Sequence, residues 1–342
     1  MTTILILNYK GYDDTILAIE SVLKSSYMEY KIVVVDNDSP NNSMDYFLSW
    51  AKGDYQPNVD KQNILNDLCT PFISKPLSYT YYEKEHLVDV VENGENPSIT
   101  FIQSGKNLGF AGGNNVGISY ILKQHRTEFI WLLNPDTLIK EDTLDVLISY
   151  AQQQDKKMGI IGTALLYYDA PSKLQALGAT FNTLACTGIH IHGHEDYDSV
   201  DLELFDTKQM DLIIGASMLV RPEVFQSIGL LEDKYFLYYE EIDFATRAKR
   251  AGYHLGMATQ SIVYHKEGAS INSENPGLQV SAFSDFYAMR NRILFTKKFN
   301  VLLLPFVYGG LLLSSLLRVK RGEYQKAFTI IKIIFGKREF TT

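Results

Sequence analysis

The sequence predicts an α/β fold built on an open, mostly parallel twisted sheet flanked by helices. Three observations carry that expectation. Thr3-Ile4-Leu5-Ile6-Leu7 and Lys31-Ile32-Val33-Val34-Val35 are short apolar runs without polar alternation, as strands buried on both faces require. Between them lies a polar loop and then a helical pattern of apolar residues at Ile16, Leu17, Ile19, Val22 and Leu23. A third apolar run, Phe129 to Leu133, opens into the polar turn Asn134-Pro135-Asp136-Thr137, and strand ends of this kind carry the ligands of open α/β sheets.

Taken in order, strand one ends at Asn8-Tyr9 and strand two at Asp36-Asn37-Asp38-Ser39. Residues 51–98 hold Pro57, Pro71, Pro76 and Pro97 with no sustained period. They read as an insertion with one short helix near Gln62 to Leu68 and polar strands around Ser78 to Val91. Gly105 to Gly117 is rich in glycine and asparagine, which lets the backbone approach a ligand closely before a helix begins. At the third strand end, proline holds Asn134 extended, so the oxygens of Asn134 and Asp136 point to one side. Two hard oxygen ligands suit Mg²⁺ or Mn²⁺ shared with a diphosphate, although the same string is also an ordinary turn followed by a helix cap.

In the second half, residues 180–210 read as a loop or edge hairpin. His190, His192 and His194 alternate there, either as surface histidines on one strand face or as a metal cluster that nothing at ligand spacing completes. Glu240 and Glu241 stand before a helix that ends at Gly252. Their charge complements a helix dipole by about 0.3–1 kcal/mol. The aromatic run Tyr235-Phe236-Leu237-Tyr238-Tyr239 beside them raises a carboxylate's pKa toward the range of a general base. His265 ends the strand Ser261-Ile262-Val263-Tyr264, either as a ligand or as a structural histidine.

With 342 residues, 46% hydrophobic and 21% charged, the chain has the composition of a globular enzyme. Cys69 and Cys186 form no disulfide framework and suit a reducing compartment, and no signal peptide is expected ahead of the first strand. Charge is uneven: residues 291–342 carry ten Lys or Arg against two acids, a net of +8, so the rest carries −16 of the total of −8. An acidic body argues against nucleic acid as a partner. The tail also holds the uncharged stretch Val301 to Leu317, read either as a segment in an anionic leaflet or as a core helix pair.

The order of these pieces resembles glycosyltransferase family 2 in its rhamnosyltransferase-like branch: Asn-Tyr after strand one, Asp-Asn after strand two, NLGFAGGNN, the short acidic motif, GASMLVR, YFLYYEEIDF, VYHK and YAMRNR. The resemblance covers about residues 1–50 and 100–297 and implies a GT-A-like domain at 1–297 with a helical, membrane-associating tail at 298–342. It implies Asp136 as metal ligand, Asn134 in the first acidic position of the Asp-x-Asp motif, and His265 completing coordination. The neutral Asn134 departs from the family pattern. It further implies Glu241 as the base, Glu240 positioning the acceptor, with Asp243 a weaker candidate, and Asp36 on the base or ribose of the donor. Asn8, Tyr9, Asn107, Gly109 and Gly113 would line the same cleft. Arg290 and Arg292 are either diphosphate ligands or part of the basic tail. The activity implied is inverting, metal-dependent transfer, from dTDP-L-rhamnose or a UDP-linked hexose, to a lipid-linked or polysaccharide acceptor of the cell envelope. The enzyme would be cytoplasmic and peripheral on the inner face of the membrane. A sugar-nucleotide nucleotidyltransferase would place a glycine-rich basic loop directly after strand one, where Asn8 to Asp14 stands instead. A non-catalytic nucleotide-sugar-binding scaffold would lose the acidic pair.

Overall fold

Chain order in a computed structural model, which describes residues 1–60, 62–88, 98–124, 126–266 and 281–340, begins with β1 (Thr2–Asn8), α1 (Tyr12–Leu23), β2 (Tyr30–Asp36) and α2 (Ser43–Lys52). It continues through β3 (Tyr79–Glu83), β4 (Ile99–Gln103), α3 (Gly109–Lys123), β5 (Phe129–Leu133), β6 (Thr137–Ile139), α4 (Thr143–Gln153), β7 (Met158–Tyr167) and β8 (Leu174–Ala176). Then come β9 (Ala179–Asn182), β10 (Thr187–His190), β11 (Ser217–Val220), α5 (Pro222–Ile228), α6 (Glu240–Arg250), β12 (His254–His265), α7 (Ala282–Phe299), α8 (Leu304–Lys320) and α9 (Tyr324–Ile334).

The main sheet runs β3-β4-β2-β1-β5-β11-β7-β12-β6, with β8 paired to β7. From β3 to β5 every pairing is parallel; β11 enters antiparallel between β5 and β7, and β12 runs parallel to β7. Side chains alternate across the sheet, so Ile4, Ile6, Ile32, Val34 and Trp131 build one core under α1, α2 and α4. Leu5, Leu7, Val33, Val35 and Leu132 build the other under α3, α5 and α6. Strand order reverses at β1, which pairs β2 on one side and β5 on the other, and such a switch point opens a crevice at the carboxyl ends.

The expected helix in the insertion is a single 3-10 turn, Asn66–Leu68. Of the expected polar strands, β3 forms a sheet edge on β4, residues 84–88 form another 3-10 turn, and the remainder lies outside the described residues. The histidines do not share one strand face. His190 ends β10 and bonds the Gln175 carbonyl, whereas His192 and His194 sit in left-handed turn conformations with separate partners, Glu195 and Tyr167. A third apolar cluster joins Cys186, Tyr235, Ile242, Phe286, Ile293, Val307, Leu311 and Ile330, so α7, α8 and α9 pack across the 297/298 boundary.

Candidate active site

Asp136 lies just beyond β5 and is buried, as is His265 at the end of β12. Antiparallel pairing of β12 with β6 sets His265 opposite Thr137 and brings the two side chains together, His265 Nε2 to Asp136 Oδ1 at 3.2 Å. Asn134 Nδ2 stands 3.3 Å from the same ring nitrogen. On its other side, His265 Nδ1 lies 2.9 Å from Gln175 Oε1 of β8 and donates to that amide oxygen; a proton on Nε2 then faces Asp136, and its release would free the Nε2 lone pair for an ion. Burial works to raise the Asp136 pKa, but the protonated His265 ring, a backbone hydrogen bond and the charge of Lys266 together hold the carboxyl below its usual range. This donor set fits a divalent ion. Neighbouring ligands of an octahedral ion with bonds of about 2.1 Å are about 3 Å apart, and the amide of Asn134 offers an oxygen once rotated. Among the described residues no group of three His, Cys, Asp or Glu surrounds a common point, so an ion held here would need further ligands from outside the chain.

The acidic pair is joined to this turn through two residues of the chain before β11. Asn134 N donates to Ala216 O at 2.9 Å. The preceding Gly215 packs directly on Glu241: a Cβ there would stand 2.8 Å from Glu241 Oε1. Burial raises the Glu241 carboxyl above its usual range, opposed by backbone hydrogen bonds from its own amide and that of Gly215. Glu240 is buried, and burial, then the charge of Glu241, push its carboxyl well up. One of its oxygens has no hydrogen-bond partner among the described residues. Asp243 is drawn into structure instead, bonded by Arg247 Nε at 2.6 Å, Lys298 Nζ at 2.6 Å and Tyr235 Oη at 3.0 Å.

The loop presenting the pair is strained. Phe236, Tyr238 and Tyr239 all have φ between 64° and 76°, a region that non-glycine side chains rarely occupy. Asn291 Nδ2 of α7 holds the loop by donating to the carbonyls of Tyr235, Leu237 and Tyr238 at 2.8–3.0 Å. Arg290 corrects the diphosphate expectation: its guanidinium donates to the carbonyls of Lys234, Tyr235 and Arg338 and to Asn291 Oδ1, so it fastens the loop to the tail. Arg292 meets the Tyr239 phenol, on the same loop.

At the neighbouring strand ends, Asp36 is buried and accepts bonds from Asn8, Ser39 and Gln103, tying β1, β2 and β4 together. Asn8 is fully buried beneath it, so it orients Asp36 and does not itself line the cleft. Tyr9 is partly exposed, and Asn107 is exposed, its Oδ1 accepting from Asn37 Nδ2 and Gly109 N. The glycines are also corrected. A Cβ at Gly109, φ +70°, would stand 2.2 Å from Phe236 O, and one at Gly113 would stand 2.6 Å from Leu7. The close approach they permit is α3 against β1 and the strained loop, within the chain itself.

A carboxyl with a raised pKa costs stability in a definite pH window. Below the ordinary glutamate value of 4.5 both folded and unfolded Glu240 are protonated, and nothing is lost. As pH rises the unfolded chain releases its proton first, so stability falls until pH passes the raised folded value. Glu240→Gln is therefore expected to raise the melting temperature at pH 7, by roughly 2–4 °C per kcal/mol relieved, with the gain fading toward pH 4. Thermal melts of both proteins from pH 4 to 8 check this; a gain independent of pH would remove the titration account.

The sequence pattern of a family described as "Glycosyltransferase like family 2" matches residues 76–275. The low-salt glycan biosynthesis hexosyltransferase Agl10 of Haloferax volcanii is 29% identical over 252 residues, covering 70% of this chain and 74% of that protein. The rhamnosyltransferase WbbL of Escherichia coli is 27% identical over 206 residues, 58% of this chain and 76% of that one. Among solved structures, the mannosyltransferase PcManGT of Pyrobaculum calidifontis, in complex with GDP-Man and Mn²⁺, superposes with a TM-score of 0.52 at 11% identity, covering 98% of this chain and 86% of its own. GalNAc-T7, with UDP, GalNAc and Mn²⁺, gives 0.51 at 12% identity over 78% and 43%. These two share the fold.

Proposed function

Because the chain belongs to the glycosyltransferase-like family 2, we propose that it transfers a sugar, with inversion and dependent on a divalent ion, from a nucleotide donor to a membrane-bound saccharide of the cell envelope. The observation that carries this is the link between the acidic pair and the metal turn through Gly215 and Ala216. Asp136, His265 and Asn134 would hold Mg²⁺ or Mn²⁺, and the ion when bound supplies Lewis-acid stabilisation of the departing diphosphate. Glu241 takes the proton of the acceptor hydroxyl as its oxygen attacks the anomeric carbon. The bond from that carbon to the diphosphate oxygen breaks, its electron pair leaving with the nucleotide, and one displacement gives one inversion.

The relative named a rhamnosyltransferase supports rhamnose as the sugar, for which we take dTDP-L-rhamnose as donor; the relative named a hexosyltransferase supports a hexose, which we take as UDP-linked, as the second reading. The intact acidic pair argues against a non-catalytic scaffold, and the family against a nucleotidyltransferase. We place the enzyme on the cytoplasmic face of the membrane as a peripheral protein. Incubating the full chain with a panel of nucleotide sugars and Mg²⁺ or Mn²⁺ tests the reading. One donor is expected to raise the melting temperature, and to be hydrolysed slowly, with both effects lost in EDTA. A panel in which no donor shifts the melt would overturn it.

A further inference from the structure

The α8–α9 hairpin is apolar on the wrong side for a soluble helix pair. Helix α8 buries a single i, i+4 row, Val307, Leu311 and Ser315, against α7 and α9, with Ser315 Oγ donating to Ala327 O at 3.0 Å. The opposite row, Phe306, Gly309, Leu313 and Leu316, faces outward together with Leu302 in the turn before the helix, Leu302 at 82% and Leu316 at 66% exposure. On α9 the inward row is Ala327, Ile330 and Ile333, while Tyr324, Phe328 and, just past its end, Phe335 face out, Phe335 at 86%. A surface helix ordinarily shows charge there, and a contiguous exposed apolar face marks an interaction site. Bases surround the patch: Lys320 and Arg321 close α8, and Lys332 stands with its ammonium 4.7 Å from the Phe328 ring centre. That is the arrangement of an apolar face with cationic head groups at its rim.

Val301–Lys320 is also the one stretch among the described residues long and apolar enough to cross a bilayer. Its contacts argue against crossing. Arg318, in its last turn, is paired with Asp285 of α7 at 2.5 Å, and α7 holds the loop of the acidic pair through Asn291. Its inward row is shared with α9, which carries Lys326 and Lys332. A crossing α8 would have to tear off these partners or draw their charges into hydrocarbon.

We infer that α8 and α9 lie flat in the interface of an anionic bilayer, outward rows among the acyl chains and bases at lipid phosphates, with the catalytic domain seated directly on the membrane. The net charge of +8 on residues 291–342 against −16 elsewhere turns this end of the chain, and not the body, toward an anionic surface. The inference deepens the reading of a membrane-bound acceptor, but vesicle binding is measured without donor or acceptor, so either can fail while the other stands.

The full chain is expected to float with vesicles of phosphatidylcholine and phosphatidylglycerol, and about tenfold or more less with phosphatidylcholine alone or in high salt. Leu313→Glu with Leu316→Glu should abolish flotation while leaving the melting temperature and nucleotide-sugar binding as in the parent, because both side chains point away from the fold. Lys320→Glu with Arg321→Glu should weaken it about tenfold. Orientation is read from spin labels at Phe306→Cys, Leu313→Cys and Leu316→Cys. A flat helix gives three similar shallow depths, whereas a crossing one spreads the first and last by about 15 Å. Graded depths, equal binding to neutral vesicles, or no flotation together with dimers that Leu313→Glu and Leu316→Glu dissolve would each overturn the inference, the last in favour of a second copy on this face.

Discussion

Glu241→Gln is expected to lower sugar transfer by about 10² to 10⁴-fold while donor affinity stays close to that of the parent. The substitution keeps the shape of the side chain in the space Gly215 leaves open, and keeps a hydrogen-bonding oxygen for the backbone amides there. It removes only the capacity to accept the acceptor's proton. A base aimed at the acceptor makes no differential contact with bound nucleotide, so the loss belongs in turnover and not in donor binding. Transfer rates and donor dissociation constants of the Gln variant separate the two. Retention of more than about a tenth of parental transfer would assign the base elsewhere, to Glu240; Asp243, held by two cations and a phenol, has no capacity left for the task.

Asp136→Ala is the second large effect. It removes the one carboxylate of the turn and leaves His265 and a neutral amide, a set too weak in hard oxygen for Mg²⁺. Metal stabilisation of a leaving diphosphate contributes several kcal/mol, so transfer should fall by about 10²-fold or more. Calorimetric titration of a nucleoside diphosphate should show tight binding by the parent with Mg²⁺ or Mn²⁺ and weak binding in EDTA. The variant should bind weakly under both conditions. Equal affinity of the parent with and without EDTA would take Asp136 out of the role. His265→Ala serves as the intermediate case, since Asp136 keeps its place through the Lys266 N bond to its carbonyl.

Much of this architecture was readable because it rests on local pattern. Runs such as Ile4 to Leu7 and Ile32 to Val35 have no polar face and so admit little else than a doubly covered sheet. The carboxylates of the site stood out for the same reason, each placed against apolar or aromatic neighbours in sequence. What escaped is what only tertiary approach creates. Gln175 reaches His265 across ninety residues, from a strand with no special composition. Gly215 matters for a side chain it lacks, and Asn291 for three carbonyls of a distant loop. Glycines at 109 and 113 announced a close approach but not its partner, which is the chain itself. Arg290 announced a cation but not the carbonyls that absorb it. In the tail, composition showed an apolar segment, whereas the inward row at Val307, Leu311 and Ser315 needed the helices around it.

The two tryptophans give the molecule an optical division of its own. Trp50 and Trp131 both sit in the core beneath α1, α2 and α4, their indole N–H groups spent on Glu20 and Ser217 at 2.9 Å. The cluster that unites α7, α8 and α9 contains neither. Emission excited where only indole absorbs therefore reports this face of the sheet, with Trp131 three positions before Asn134, and is silent about the hairpin. Loss of the hairpin's packing alone is therefore expected to leave the indole signal in place, whereas loss of the core beneath α1, α2 and α4 moves it.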